Sequence, residues 1–196
     1  MTMTQQDNTG HRGVWVFAEQ REGTLKGVSL ELVGLGRRLA DDLGVALEAV
    51  LLGQGVAHLA PELTAVGADR VLLGQHPLLK QYQTDCYAKA LADLVLARKP
   101  EILLMGSTTL GRDLAPRLST RLRTGLMADC VDLQVNRPER TLVGVKPVVG
   151  GNLLASITCP HHRPQIATLR PRVLPPPARD SSRKGQVERV AVELQQ

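Results

Sequence analysis

Ile102-Leu-Leu-Met-Gly106-Ser-Thr-Thr-Leu-Gly111-Arg-Asp-Leu-Ala-Pro-Arg117 is the stretch that decides the fold. Ile102 to Met105 is a continuous apolar run of strand length, and it empties into a Gly/Ser/Thr turn. Leucines at 114, 118 and 122 then recur at helical spacing. Strand, tight turn and helix in that order are half of a parallel crossover unit. Backbone N–H groups of Ser107 to Arg112 are expected to be free at the helix start, where the helix dipole adds positive potential and an anion can sit. Pro116 lacks an N–H, so the first turn of this helix is expected to be short or irregular.

The same alternation runs upstream. Val14 to Ala18 reads as a buried strand, and apolar residues at 28, 32, 35, 39 and 43 give Val28 to Leu43 the period of an amphipathic helix, stopped by Gly44. Val45 to Leu52 is a second strand, Val56 to Val66 a short helical piece and Arg70 to Leu73 a third strand. Thr84-Asp85 is a plausible cap for a helix to Arg98, which Pro100 ends. Continuous apolar strands alternating with helices predict an α/β fold, a parallel sheet with helices on both faces and ligands gathered at the carboxyl ends of strands.

Downstream the pattern changes. Asp129 to Val135, Thr141 to Val149 and Asn152 to Thr158 are β-rich and separated by Arg137-Pro138 and Gly150-Gly151, so they read as hairpin-linked antiparallel additions to the sheet. Ile166 to Leu169 is one more short strand. Residues 174–186, with three consecutive prolines followed by polar residues, read as a linker. Val187 to Leu194 is a terminal strand in need of a pairing partner, inside this molecule or in another. The expected organisation is a polar tail over 1–13, one domain over 14–173, the linker, and a last strand over 187–196.

Charge is unevenly placed. Residues 1–98 carry 9 Lys/Arg against 11 Asp/Glu, and residues 99–196 carry 15 against 8. A second half at +7 suits a phosphorylated ligand, an acidic protein partner or nucleic acid. Trp15, Phe17, Tyr82 and Tyr87 are the only aromatic residues, too few for base-stacking platforms, which argues against nucleic acid. No segment approaches the about 20 apolar residues of a membrane span. Cys86, Cys130 and Cys159 form no C-x-x-C pair, and reduced thiols in the cytoplasm are the expectation.

The chemistry-bearing candidates are few. Ser107, Thr108 and Thr109 with the charge of Arg112 suit a phosphate, although the turn lacks both the Walker ending and the G-x-G-x-x-G spacing. The plainer reading has a threonine capping the helix, Asp113 complementing its dipole and Arg112 in a salt bridge. Arg117, Arg121 and Arg123 read as a solvated basic face. Cys159-Pro-His-His162 has no second ligand pair for a metal, and Asp129 and Asp132 give no defensible acid–base pair. No catalytic machinery is expected.

Five separated motifs carry a resemblance: V-W-V-F-A-E at 14–19, G-S-T-T-L-G-R-D-L-A-P-R at 106–117, T-G-L-M-A-D-C at 124–130, G-G-N at 150–152 and R-P-Q-I-A-T-L-R-P at 163–171. In order and spacing the chain resembles the N-terminal domain of electron transfer flavoprotein alpha subunits. C-x-x-H-R-P-Q at 159–165 and V-S-L-E-L at 28–32 bring it nearest the anaerobic and nitrogen-fixation branch. The resemblance implies a Rossmann-like three-layer domain, akin to nucleotide-binding alpha hydrolases, that acts as a scaffold against a beta subunit. The heterodimer passes electrons from acyl-CoA or other dehydrogenases to an acceptor such as a quinone reductase or ferredoxin. Its FAD is held chiefly by a C-terminal domain whose motifs have no counterpart in residues 1–196, so no tightly bound cofactor is expected here. Relatives that bifurcate electrons carry Arg-Pro before G-G-N, where this sequence has Lys146-Pro147. Lys146, Gly150, Gly151 and Asn152 are candidate contacts to the partner's flavin; lysine keeps the charge but loses the planar fork. A small AMP- or ATP-binding domain or hydrolase using residues 107–113 is the alternative.

Overall fold

The computed structural model describes residues 8–148, 153–175 and 177–195. The chain begins with β1 (Val14–Phe17), a small hairpin of β2 (Gln20–Arg21) and β3 (Thr24–Leu25), and α1 (Gly27–Leu43). It continues through β4 (Leu47–Gly53), α2 (Ala60–Ala65), β5 (Arg70–Gln75), α3 (Thr84–Arg98), β6 (Ile102–Gly106) and α4 (Thr109–Leu122). Then follow β7 (Leu126–Cys130), β8 (Asp132–Asn136), β9 (Thr141–Pro147), β10 (Leu154–Thr158), β11 (Gln165–Leu169) and β12 (Gln186–Val190). Seven strands form one sheet in the order β12-β5-β4-β1-β6-β11-β7, and every neighbouring pair is parallel.

Strand geometry sorts the core into two layers, because successive side chains leave opposite faces of a sheet. Val14, Val16, Leu47, Ala49, Leu51 and Leu104 join the buried faces of α1 and α2. Trp15, Phe17, Val50, Leu52, Leu103 and Met105 join those of α3 and α4. Both faces of the central strands are therefore dry, which is why their sequences are continuously apolar rather than alternating. Each fully buried leucine on them contributes roughly 1.5–3 kcal/mol. The sole tryptophan, Trp15, is buried, and its indole Nε1 donates to Glu48 Oε2 at 2.7 Å.

Several local expectations shift. Gln83, not Thr84, precedes the first turn of α3, and the Thr84 hydroxyl turns away to donate to Asp113 Oδ2 at 2.5 Å. Pro116 lies inside a continuous α4, and the hydroxyls of Ser119 and Thr120 donate to its carbonyl at 3.0 and 2.9 Å. Leu126–Cys130 belongs to the parallel sheet beside β11, with a register shift where Asp129 takes a positive φ of 64°. The antiparallel additions form a separate sheet of three strands, β10-β9-β8, rather than extending the main one.

The segment after residue 174, expected to be a linker, runs back over α1 and α2. The amide of Asp180 donates to Ala65 O at 2.8 Å, Arg179 pairs with Glu62, and Arg183 pairs with Asp69 Oδ1 at 2.7 Å. β12 then pairs with β5 along Gln186 to Val190, so the terminal strand finds its partner within the molecule. Arg70 ties it further, contacting Glu48 at 3.1 Å and Glu188 at 3.4 Å. A Cβ on Gly185 would stand 2.4 Å from Thr64 Cγ2 and 2.9 Å from Ala68 O. Gly185→Val is therefore expected to lift the strap and speed amide hydrogen exchange across 186–190 while β1, β4 and β6 keep their protection; unchanged exchange in β12 would refute this role.

Candidate functional site

From β1 the chain builds outward through β4 to β5, then crosses back to place β6 on the other side of β1. Such a reversal leaves a crevice over the carboxyl ends of the two neighbouring strands whose connections diverge, here β1 and β6, and parallel α/β folds bind ligands there. The turn Ser107-Thr108 and the start of α4 form one wall. Residues following β1, from Ala18 through Glu19, form the other.

Three of the six amides expected to be free are bonded within the chain. Ser107 N donates to Leu169 O at 2.7 Å, Gly111 N to Thr108 Oγ1 at 3.0 Å and Arg112 N to Thr108 O at 2.9 Å. Thr108 is the helix cap, in extended conformation with its hydroxyl oxygen accepting from the third residue on. The turn is also tight. An added Cβ on Gly111 would stand 1.7 Å from Gly106 O, so the first turn of α4 rests directly on the end of β6.

A carboxylate of the chain itself fills the crevice. Thr108 Oγ1 donates to Glu19 Oε2 at 2.6 Å, while the Glu19 backbone carbonyl accepts from Ser29 Oγ at 2.8 Å and from Lys26 N at 2.9 Å. Glu19 is 6% exposed. Burial pushes its pKa above the usual carboxylate value, opposed by the Thr108 hydroxyl and the charge of Lys26. A second carboxylate, Asp129, stands on the other side of the turn. Arg170 grips it with two bonds of 2.9 and 2.7 Å, Ser107 Oγ donates to it at 3.2 Å, and Arg112 approaches it at 3.7 Å. The Arg170 bonds hold the Asp129 carboxyl below its ordinary pKa.

The structure thus brings Ser107, Thr108 and Arg112 together but commits all of them internally. Thr109 is exposed on the first turn of α4. Lys146 lies on β9 opposite Ala155, in the separate sheet, where its charge bears on the buried Cys130 thiol. Burial raises that thiol's pKa to about 11. Gly150, Gly151 and Asn152 lie outside the described residues. Sequence reasoning dismissed Asp129 as an acid–base residue and gave no role to Glu19 or Arg170, yet these three set the character of the crevice. The available signal was an acid placed directly after the buried run V-W-V-F-A.

The R-P-Q motif proves structural. Arg163 is 8% exposed and donates to three carbonyls, those of Pro160 at 2.9 Å, His162 at 3.1 Å and Arg140 at 3.2 Å. Gln165 accepts from Leu142 N at 2.7 Å and donates to Arg140 O at 3.0 Å. Together they pin the start of β9 to the amino end of β11. At that same end of the main sheet, a cavity of about 450 Å³ lies by β4, β5 and β12, and its charged lining residues include the bonded pairs Glu48–Arg70 and Asp69–Arg183.

The electron transfer flavoprotein domain profile matches residues 14–195. The chain belongs to the electron transfer flavoprotein family. It is 50% identical over 186 residues to an electron transfer flavoprotein subunit alpha of Clostridium acetobutylicum, covering 94% of this chain and 55% of that protein. It is 47% identical over 180 residues to protein FixB of Azorhizobium caulinodans, covering 90% and 48%. An acryloyl-CoA reductase electron transfer subunit beta of Anaerotignum propionicum is 42% identical over 196 residues, covering 89% and 53%. The chain spans about half the length of these curated relatives.

The family implies FAD, and the crevice can be tested for its pyrophosphate. The Glu19 carboxylate sits against the hydroxyl that would meet a phosphate, Asp129 holds the Ser107 hydroxyl, and Gly111 is seated on Gly106 O. Two carboxylates at the turn would repel that group, so the crevice does not fit it.

Two outcomes follow from this geometry. Gly111→Ala is expected to cost about 3 kcal/mol or more in chemical denaturation, because backbone rather than a movable side chain blocks the new methyl. Glu19 binds its proton more tightly folded than unfolded, so its contribution to stability falls as pH rises from the unfolded value, about 4.3, through the folded one. Glu19→Gln should flatten that decline; a wild-type slope surviving in the variant would show that another group causes it.

Proposed function

We propose that this chain is the scaffold domain of an electron transfer flavoprotein alpha subunit, pairing with a beta subunit in a flavin-based carrier between dehydrogenases and an acceptor. The observation that carries the reading is the Glu19–Thr108 bond: the one crevice where this fold takes a nucleotide is filled by the chain's own carboxylate. A domain so closed contributes surface rather than a cofactor pocket. The same bond weighs against an AMP- or ATP-binding domain or hydrolase using residues 107–113.

In this reading FAD belongs to the heterodimer and is held mostly outside residues 1–196, and the domain performs no chemistry alone. The strap and β12 fall within the family match over residues 14–195 and complete its main sheet. The carrier works in the cytoplasm, taking electrons from acyl-CoA or other dehydrogenases and delivering them to a quinone reductase or ferredoxin. The name of the Anaerotignum relative, an electron transfer subunit of acryloyl-CoA reductase, supports a CoA-ester redox setting. The small sheet supplies a place for a second chain: Val148, Leu153 and Leu154 are 40%, 69% and 67% exposed at one end of the β9–β10 pair. β10 pairs only with β9 among the described residues.

Co-expression with a beta subunit is expected to yield an equimolar complex. The chain alone, mixed with FAD and desalted, is expected to be colourless. A yellow protein with stoichiometric flavin would overturn the scaffold reading, and so would micromolar affinity for AMP, which is about −8 kcal/mol.

A further inference from the structure

Three exposed cations stand around the mouth of the crevice. Lys26 stands at the start of α1, Arg112 in the first turn of α4, and Arg172 just beyond β11. All three are exposed, the Arg112 side chain by 66%. Lys26 and Arg172 have no carboxylate within ion-pair distance among the described residues, although the charge of Lys26 bears on Glu19; Arg112 donates from Nε to Ser107 Oγ at 3.3 Å and otherwise only approaches, at 3.7 Å, an aspartate already gripped by Arg170. Two acids of the same region turn inward, while Asp113 beside Arg112 and Glu22 between β2 and β3 are exposed. Glu19 and Glu31 are 6% and 7% exposed, the first accepting from Thr108 and the second from the backbone N–H of Arg172 at 2.9 and 3.1 Å. The amino ends of α1 and α4 border this mouth and add to its positive potential.

We propose that this rim is a protein-docking surface that receives aspartate and glutamate side chains of the partner subunit, a reading that rests on the heterodimer proposed above. Charge complementarity names the occupant. A phosphate at this turn would meet the buried Glu19 carboxylate, which already takes the Thr108 hydroxyl. The cations instead stand apart on three different elements, a spacing that suits several carboxylates on another surface. Arginine forks accept carboxylates with two bonds, and rim charges act chiefly on encounter rate and salt dependence.

The test measures association of the full chain with the beta subunit at low and high salt. Combined Lys26→Glu, Arg112→Glu and Arg172→Glu substitution is expected to weaken binding about tenfold or more at low salt, with the gap closing as salt rises. Arg121→Glu with Arg123→Glu, exposed cations at the far end of α4, should leave it unchanged. Poly-L-glutamate, titrated against the chain alone, should bind the wild type and not the triple variant, and millimolar inorganic phosphate should not compete. A wild type that fails to pair with beta would sink the heterodimer reading, and the poly-L-glutamate arm would still decide the rim. Normal pairing by the triple variant would overturn the rim proposal alone. Equal loss in the Arg121/Arg123 control, or displacement of poly-L-glutamate by phosphate, would overturn it as well.

Discussion

The hydrogen bond from Thr108 to Glu19 joins the ends of β1 and β6 at the point where the sheet's winding reverses. The strands themselves are paired there, but the connections on either side lead away and leave a seam between the loops above them. A short bond between a buried carboxylate and the cap of α4 closes the seam and fixes where α4 starts. Around it the other polar contacts fall into place: Ser29 and Lys26 anchor α1 to the Glu19 backbone, and Ser107 hands on to Asp129 and Arg170. One contact therefore orders three helix and strand ends at once.

The cost of that arrangement is a carboxylate held away from water. Its raised pKa measures the tension between desolvation and the favourable hydroxyl and Lys26 charge. Asp129 shows the opposite balance, since a bidentate arginine more than offsets its partial burial. Two acids flanking one turn thus sit in contrasting environments, and neither is available to a substrate. The motifs that mark the family are mostly interior contacts of this kind, and the arginine of R-P-Q, bonded to three carbonyls, is another.

The layered architecture was legible in the sequence because apolar runs such as Val14 to Ala18 and Ile102 to Met105 can be satisfied only by a sheet covered on both faces. The helices α1 and α4 were legible through their leucine spacing. Harder to read was Leu126–Cys130, whose mixed burial and bulge at Asp129 hide a strand of the parallel sheet. Residues 174–185 read as a linker because prolines and polar residues carry no periodicity, yet Arg179, Asp180 and Arg183 find partners on α2 and ahead of β5. At the crevice, residue types allowed a phosphate beside the plainer reading of a threonine cap; the carboxylate that takes the threonine hydroxyl comes from a residue 89 positions away in sequence. Only the fold brings them together.

The solitary tryptophan has an optical consequence. Trp15 donates to Glu48, Glu48 pairs with Arg70, and Arg70 reaches Glu188 on β12, so the indole is linked through ionic contacts to the last strand of the sheet. Indole emission responds to charge near its nitrogen, and no second tryptophan dilutes the signal. The molecule therefore carries a built-in fluorophore whose colour and quenching report the state of a strand three positions across the sheet.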